Sequence, residues 1–215
     1  MDFIVVVGGD PPASNVAARL PCPAFVIAAD SGYDHASTLG LTVDLVVGDL
    51  DSISDSGVDE IARQGITVEQ HPADKDATDG QLALRAALDR GATAVTVVTG
   101  GSLRRLDHLL ALIGLLASSL LNDVKVCAWI GPNRVDVVRG GQPLSWISEG
   151  NETVSLVPLH GPANGVSIIG ARWPLSDAVL EAASTIGVSN IATGGPCRVS
   201  LRAGAVLVIR PDERP

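Results

Sequence analysis

Val43-Asp-Leu-Val-Val-Gly-Asp-Leu-Asp-Ser52 decides how the rest of the chain is read. Leu45, Val46 and Val47 make a short apolar run that Gly48 stops, and residues 54–64 then follow a helical pattern. Continuous apolarity without alternation suits a strand covered on both faces, as in a parallel sheet. The same unit recurs on either side. Residues 3–7, 25–29, 44–47 and 94–99 are short β-branched runs ended by Gly or Asp, and residues 124–129 close the series. Between them, residues 32–39, 54–64, 78–89 and 106–121 carry helical patterns, the third stopped by Gly91. Alternating β and α elements predict a doubly wound α/β sheet.

After Gly131-Pro132 the character changes. Residues 135–138, 153–157, 165–169, 199–201 and 205–209 are strand-like runs punctuated by Gly, Pro and Asn, as in a small all-β unit. Residues 176–184 are the single helical candidate there. A boundary near Gly131 divides an α/β domain, residues 1–130, from an all-β domain, residues 131–215.

The carboxylates fall at strand ends. Asp30 follows the second strand, and Asp49 and Asp51 follow the third. Ligands of open α/β sheets bind beyond the carboxyl ends of the strands, so these acids are expected in one crevice. Two residues apart in extended chain, Asp49 and Asp51 face the same way. They repel unless a cation or proton intervenes, and Mg²⁺ suits such oxygen ligands. The competing reading is a solvated turn in which Asp51 and Ser52 cap the next helix. A second acidic group, Asp74-Lys-Asp-Ala-Thr-Asp79, opens the following helix. Thr78 or Asp76 suits a cap there. Lys75, one of only two lysines in the chain, suits either a point charge on phosphate or a structural ion pair. Gly100-Gly-Ser-Leu-Arg-Arg-Leu-Asp-His108 then supplies Gly100 and Gly101 for close backbone approach and arginines able to fork around phosphate. Arg105 and Asp107 weigh more than His108, which also reads as a structural histidine.

Other classes recede. A formal net charge of −9 argues against a nucleic-acid surface. No Gly-x-x-x-x-Gly-Lys-Ser/Thr loop and no Gly-x-Ser-x-Gly elbow is present. Cys22, Cys127 and Cys197 match no metal spacing and suit a reducing compartment. The longest apolar run, residues 109–121, falls short of the roughly 18 residues that span a bilayer. A soluble, cytoplasmic protein without membrane or nucleic-acid partners is expected.

In order and spacing these motifs resemble the thiamin pyrophosphokinase family. The likeness rests on Ala29-Asp-Ser-Gly32, Val43 to Ser52, Lys75-Asp-Ala-Thr-Asp-Gly-Gln-Leu-Ala-Leu84 and Arg105-Leu-Asp-His108. Further along, Gly170-Ala-Arg-Trp-Pro-Leu175 and Gly187-Val-Ser-Asn190 are similar to the family's thiamin-side segments. The chain departs from the family pattern at Ser31, at Tyr33-Asp34, at Gln81 and at Leu103-Arg104. The resemblance implies an N-terminal α/β domain, a C-terminal β-sandwich that contributes to thiamin binding, and a homodimer with sites at domain and subunit junctions. It implies transfer of pyrophosphate from ATP to the thiamin hydroxyl, with Mg²⁺ held by Asp49, Asp51 and Asp79. Asp30 would hold metal-bound water or a substrate group. Lys75, Asp76, Thr78, Gly100, Gly101, Arg105, Asp107 and His108 would meet the nucleotide. Trp173 would stack on thiamin unless it is core, and Ser189 and Asn190 would hydrogen-bond the heterocycle. A related pyrophosphokinase or Mg²⁺-dependent phosphohydrolase acting on another heterocycle stays open, as does a non-catalytic nucleotide-binding module.

Overall fold

The structure is a computed structural model that describes residues 1–72, 74–182 and 184–211. It is mixed α/β, and the chain divides into two compact units. Met1–Ile113 with Asp123–Pro132 forms the first, and Gly114–Asn122 with the described residues from Asn133 to Pro211 forms the second.

In the first unit, β1 (Asp2–Val7), β2 (Phe25–Ala29), β3 (Leu45–Gly48), β4 (Thr67–Gln70), β5 (Ala94–Thr99) and β6 (Lys125–Ile130) lie in the order β4-β3-β2-β1-β5-β6. Every pairing among them is parallel. The helices are α1 (Gly32–Thr38), α2 (Asp55–Gln64), α3 (Asp79–Asp89) and the part of α4 (Leu106–Leu116) that ends at Ile113. Side chains alternate across a strand, and the helices use both faces. Tyr33 and Ala36 of α1 and Ile61 of α2 share a core with Ile4 and Val6 of β1. On the other face, a Cβ placed on Gly80 of α3 would meet the Val7 side chain at 3.5 Å. Helix α2 is capped by Ser54, whose hydroxyl accepts the Gly57 N–H, and is ended by Gly65 at φ 66°. Helix α3 is capped by Thr78 in the same manner, the Gln81 N–H donating to its hydroxyl.

Strand β4 did not stand out in the sequence because Val68 is its one aliphatic side chain and it pairs with β3 alone at the sheet edge. The apolar run after Leu106 is also shorter as helix than its composition predicts. α4 ends at Leu116, and a 3-10 turn takes Ser119–Leu121. Arg139 explains part of that stop. Its buried guanidinium donates to Leu116 O at 2.9 Å, a cation on helix-terminal carbonyls. Among the described residues no helix is long and apolar enough to cross a membrane.

In the second unit, β7 (Asn133–Arg139), β8 (Leu144–Ser148), β9 (Thr153–Ile169), β12 (Gly195–Ser200) and β13 (Ala203–Pro211) run in the order β7-β13-β9-β12-β8. β10 (Leu175–Leu180) and β11 (Asn190–Ile191) also pair with β9. All of these pairings are antiparallel. Two expectations are corrected. Residues 153–157 and 165–169 are one 17-residue strand, not two. It passes through positive φ at His160, Gly161 and Gly165, so its first part pairs with β13 and its last part with β10 and β12. Residues 176–180 of the helix expected at 176–184 belong instead to strand β10, and Ala183 lies outside the described residues. Pairing with β9 overrides a weak helical pattern there. Residues 212–215 likewise lie outside the described residues.

Leu84 is fully buried on α3, which packs on β1, β2 and β3. Leu84→Ala is expected to lower unfolding free energy by about 2–5 kcal/mol, read from urea titration. A loss within measurement error would show that α3 does not carry this face of the core.

Candidate functional site

The strand order reverses between β1 and β5, since β2, β3 and β4 follow on one side of β1 and β5 and β6 on the other. The crevice beyond that reversal is where such sheets bind ligands. A cavity of about 680 Å³ opens there, within the first unit, floored by Val7, Gly8 and Gly9 after β1 and by Thr99 and Gly101 after β5. Close backbone approach shapes this floor. A Cβ on Gly32 would fall 2.2 Å from Val6 O, and one on Gly8 would fall 2.2 Å from Ser31 Oγ. Thr99 ties the two loops together, donating to Gly8 O at 3.1 Å and accepting the Gly101 N–H at 3.2 Å.

Three carboxylate-bearing segments enter the cavity. Asp30 leaves β2 at φ 46°, with its N–H on Val47 O. Asp49 and Asp51 leave β3 in a loop with Leu50 at φ 70°. Asp79 begins α3. All four line the cavity, together with Lys75, Asp76 and Thr78. The turn reading for Asp49 and Asp51 is half right. The Asp51 N–H donates to Asp49 Oδ1 at 3.2 Å, yet the cap of α2 is Ser54, not Asp51 or Ser52.

Lys75 holds this group together. Its ammonium lies 2.7 Å from Asp79 Oδ1 and 3.6 Å from Asp49 Oδ2, and all three side chains are mostly buried. The contact to Asp79 is a close ion pair. Burial pulls the Lys75 pKa down, but Asp79, Asp49 and Asp30 together raise it. Asp30 Oδ1 is buried without a donor. Burial, then the neighbouring Asp79 and Asp49 carboxylates, push the Asp30 pKa up to about 7. The Asp51 amide holds the Asp49 pKa down, while Asp49 raises that of Asp51.

Oxygen-only donors, with Asp30 Oδ1 buried and without a donor, suit a hard divalent cation. Among the described residues no three His, Cys, Asp or Glu side chains are gathered tightly enough to hold a metal unaided. Mg²⁺ commonly takes one or two protein carboxylates and completes its shell with water and phosphate, so the residues fit.

The segment after β5 reaches the cavity in part. Gly101, Arg105 and His108 line it, with Ser102, Leu109 and Leu112, whereas Gly100 and Asp107 do not. Gly100 is structural: a Cβ there would lie 2.1 Å from Asp10 O, and its N–H donates to that carbonyl. Asp107 grips Arg105 through both oxygens, at 3.0 and 3.1 Å, which pulls its own pKa down to about 2. His108 Nε2 also contacts the Arg105 guanidinium. Sequence reasoning missed Thr99 and Ser102. The signal was a hydroxyl residue on each side of the Gly100-Gly101 pair.

The residues expected beside thiamin lie in the second unit. Trp173 is 55% exposed and so is not core. The Arg172 guanidinium stands 5.2 Å over its ring. Asn190 is buried and already committed. Its Oδ1 accepts the Trp173 and Ile191 N–H groups, and its Nδ2 donates to Trp173 O at 2.6 Å. Ser189 sits at φ 60° with its N–H on Ser155 Oγ.

Comparison with known proteins agrees in both units. The family model "Thiamin pyrophosphokinase, catalytic domain" matches residues 20–128, and "Thiamin pyrophosphokinase, vitamin B1 binding domain" matches residues 146–206. Thiamine pyrophosphokinase of Bacillus subtilis is 25% identical over 189 residues, 87% of each chain. Its crystal structure superposes with a TM-score of 0.85 at 24% identity, covering all of both chains. A thiamin pyrophosphokinase family protein of Enterococcus faecalis gives 0.80 at 27% identity, again over all of both chains.

The raised Asp30 pKa carries a sign that can be measured. A carboxyl whose folded pKa lies above its unfolded value contributes stability that is present at low pH and lost as pH rises. Asp30→Asn removes that loss. In the presence of a chelator, the variant is expected to melt above the parent by a margin that grows between about pH 4 and about pH 7. Parallel melting curves across that range would contradict the buried, charge-crowded Asp30.

Proposed function

The chain belongs to the thiamin pyrophosphokinase family, and on that premise we propose that it transfers the terminal pyrophosphate of ATP to the thiamin hydroxyl. The thiamin oxygen bonds to the β-phosphorus as the bond from that phosphorus to the α-phosphate oxygen breaks. AMP leaves with the bonding pair, and the hydroxyl proton passes to solvent. The observation that carries this reading is the cleft at the carboxyl ends of the parallel strands, lined by Asp30, Asp49, Asp51 and Asp79, with Lys75 paired to Asp49 and Asp79.

Pyrophosphoryl transfer asks a protein chiefly for positioning and charge. Asp49, Asp51 and Asp79 are the residues that would hold Mg²⁺, with Asp30 orienting bound water or a substrate group. When bound, Mg²⁺ offsets negative charge on the triphosphate and at the reacting phosphorus. Lys75 adds a point charge beside the same oxygens. Asp76 and Thr78 border the nucleotide, with the Gly101 backbone and His108. Arg105 exchanges Asp107 for phosphate; the exposed pair is weak enough to allow it. In the second unit Trp173 supplies a stacking face, Asn190 and Ser189 shape its support, and the strands form the family's β-sandwich.

The first domain, residues 1–130, thus serves nucleotide and metal, and residues 131–215 serve thiamin and dimer formation. The homodimer reading draws support from exposed apolar side chains of the second unit, Ile147 and Ile169 among them. Three free cysteines support a reducing, cytoplasmic setting.

Purified protein given thiamin, ATP and Mg²⁺ is expected to form thiamin diphosphate and AMP in equal amounts; phosphate release without AMP would point to a phosphohydrolase instead. Asp49→Asn and Asp51→Asn are each expected to lower kcat by about 10²-fold, equivalent to about 2.7 kcal/mol of transition-state stabilisation. Parental rates in both would remove the metal site. Trp173→Ala should raise the thiamin KM and leave the ATP KM and the melting temperature unchanged, since the ring is exposed. An unchanged thiamin KM would dismiss Trp173 as a substrate contact.

A further inference from the structure

The loop that carries Asp49 and Asp51 is fixed at both ends. At its start, a Cβ on Gly48 would lie 1.9 Å from Asp30 Oδ1, so only glycine lets the two segments meet. At its end stands Ser54, the cap of α2, and Ser54 is gripped from another helix. Asp34 lies in the first turn of α1, a turn opened by the Tyr33 N–H donating to Asp30 O at 2.9 Å. Its carboxylate takes both donors of Ser54. The backbone N–H donates to Oδ2 at 2.9 Å and the hydroxyl donates to Oδ1 at 2.7 Å. The hydroxyl oxygen in turn accepts the Gly57 N–H at 3.1 Å. Space for this clasp comes from Gly57, where a Cβ would stand 2.7 Å from Asp34 Oδ1. Buried Ile53, next in the chain, anchors the same corner in the core.

Asp34 does not line the cavity. A capping role for Ser54 needs only its own hydroxyl, as Thr78 does for α3. The second grip, on the Ser54 backbone, instead fixes where the loop ends relative to Asp30. We propose that Asp34 is a positioning residue that holds Asp49 and Asp51 in register with Asp30, and so sets the affinity of the cleft for the divalent cation. The inference deepens the metal reading given above and rests on it. Partners that orient metal-binding groups commonly matter by about 10–100-fold in metal affinity.

The test compares full-length parent, Asp34→Ala and Asp34→Asn. Amide hydrogen exchange over residues 48–57 is followed without metal. Mn²⁺ affinity in the presence of ATP is read by electron paramagnetic resonance, and the thiamin KM is taken with Mg²⁺ in excess. In Asp34→Ala, exchange is expected to quicken in residues 48–57 while β1, β2 and β3 stay protected. Mn²⁺ affinity should fall by about tenfold or more, and the thiamin KM should hold. Asp34→Asn should recover most of both losses, because its amide oxygen accepts the Ser54 N–H and its amide nitrogen donates to the Ser54 hydroxyl. Should Asp34→Ala fail to fold, Ser54→Ala, which removes the hydroxyl arm together with the α2 cap and keeps the backbone grip, carries the same measurements with a smaller expected loss of Mn²⁺ affinity. Parental exchange and affinity in Asp34→Ala would overturn the proposal, as would loosening spread through the whole first unit with no recovery in Asp34→Asn. If Asp49→Asn and Asp51→Asn bind Mn²⁺ as the parent does, the metal reading itself falls. Exchange in the Asp34 variants then still reports on the clasp alone.

Discussion

Four carboxylates and one ammonium share a cleft at the ends of parallel strands, and the first unit is arranged around the cost of keeping them there. Two like charges about 4 Å apart repel by on the order of 4 kcal/mol at an effective dielectric near 20. Lys75 offsets part of this by bridging Asp79 and Asp49, and a raised proton affinity at Asp30 relieves another part. What remains must be resisted by the backbone. Close packing at Gly32 and Gly48, a left-handed Asp30 and the Asp34 grip on Ser54 all serve that end.

A parallel sheet makes this concentration natural. Each strand releases its chain at the same edge, so segments distant in sequence enter one crevice without long excursions. β2 supplies Asp30, β3 supplies Asp49 and Asp51, and β5 supplies the Gly100-Gly101 turn. Asp79 arrives from a helix start rather than a strand end, and its cap is the adjacent Thr78. Capping by Thr78 therefore leaves the neighbouring Asp79 side chain to line the cavity from the same turn.

Much of this was legible because the signals were local. Buried parallel strands announce themselves as continuous aliphatic runs, and Gly48 and Gly91 mark where elements stop. The cavity-facing acids were legible for the same reason, since each follows a strand or opens a helix. Long-range decisions were not. β9 reads as two strands because His160 and Gly161 resemble a break; only pairing with β13, β10 and β12 keeps it one element. Residues 175–180 form a strand because β9 offers an edge, a fact absent from their own pattern. Gly100 looked like a phosphate turn and proved to be a contact with the Asp10 carbonyl. The Asp34–Ser54 clasp spans 20 residues and has no periodic signature.

The balance of charge also constrains how substrate enters. Asp107 already occupies the guanidinium fork of Arg105, and Lys75 is engaged by two of the four cavity carboxylates. A bare triphosphate approaching this cleft would meet net negative charge on a chain whose formal charge is already −9. Positive charge must therefore accompany the nucleotide rather than wait for it in the protein. That requirement accounts for carboxylates too loosely gathered to hold a metal unaided. On the proposed reading, phosphate oxygens would complete the coordination, so that metal and nucleotide would each favour binding of the other.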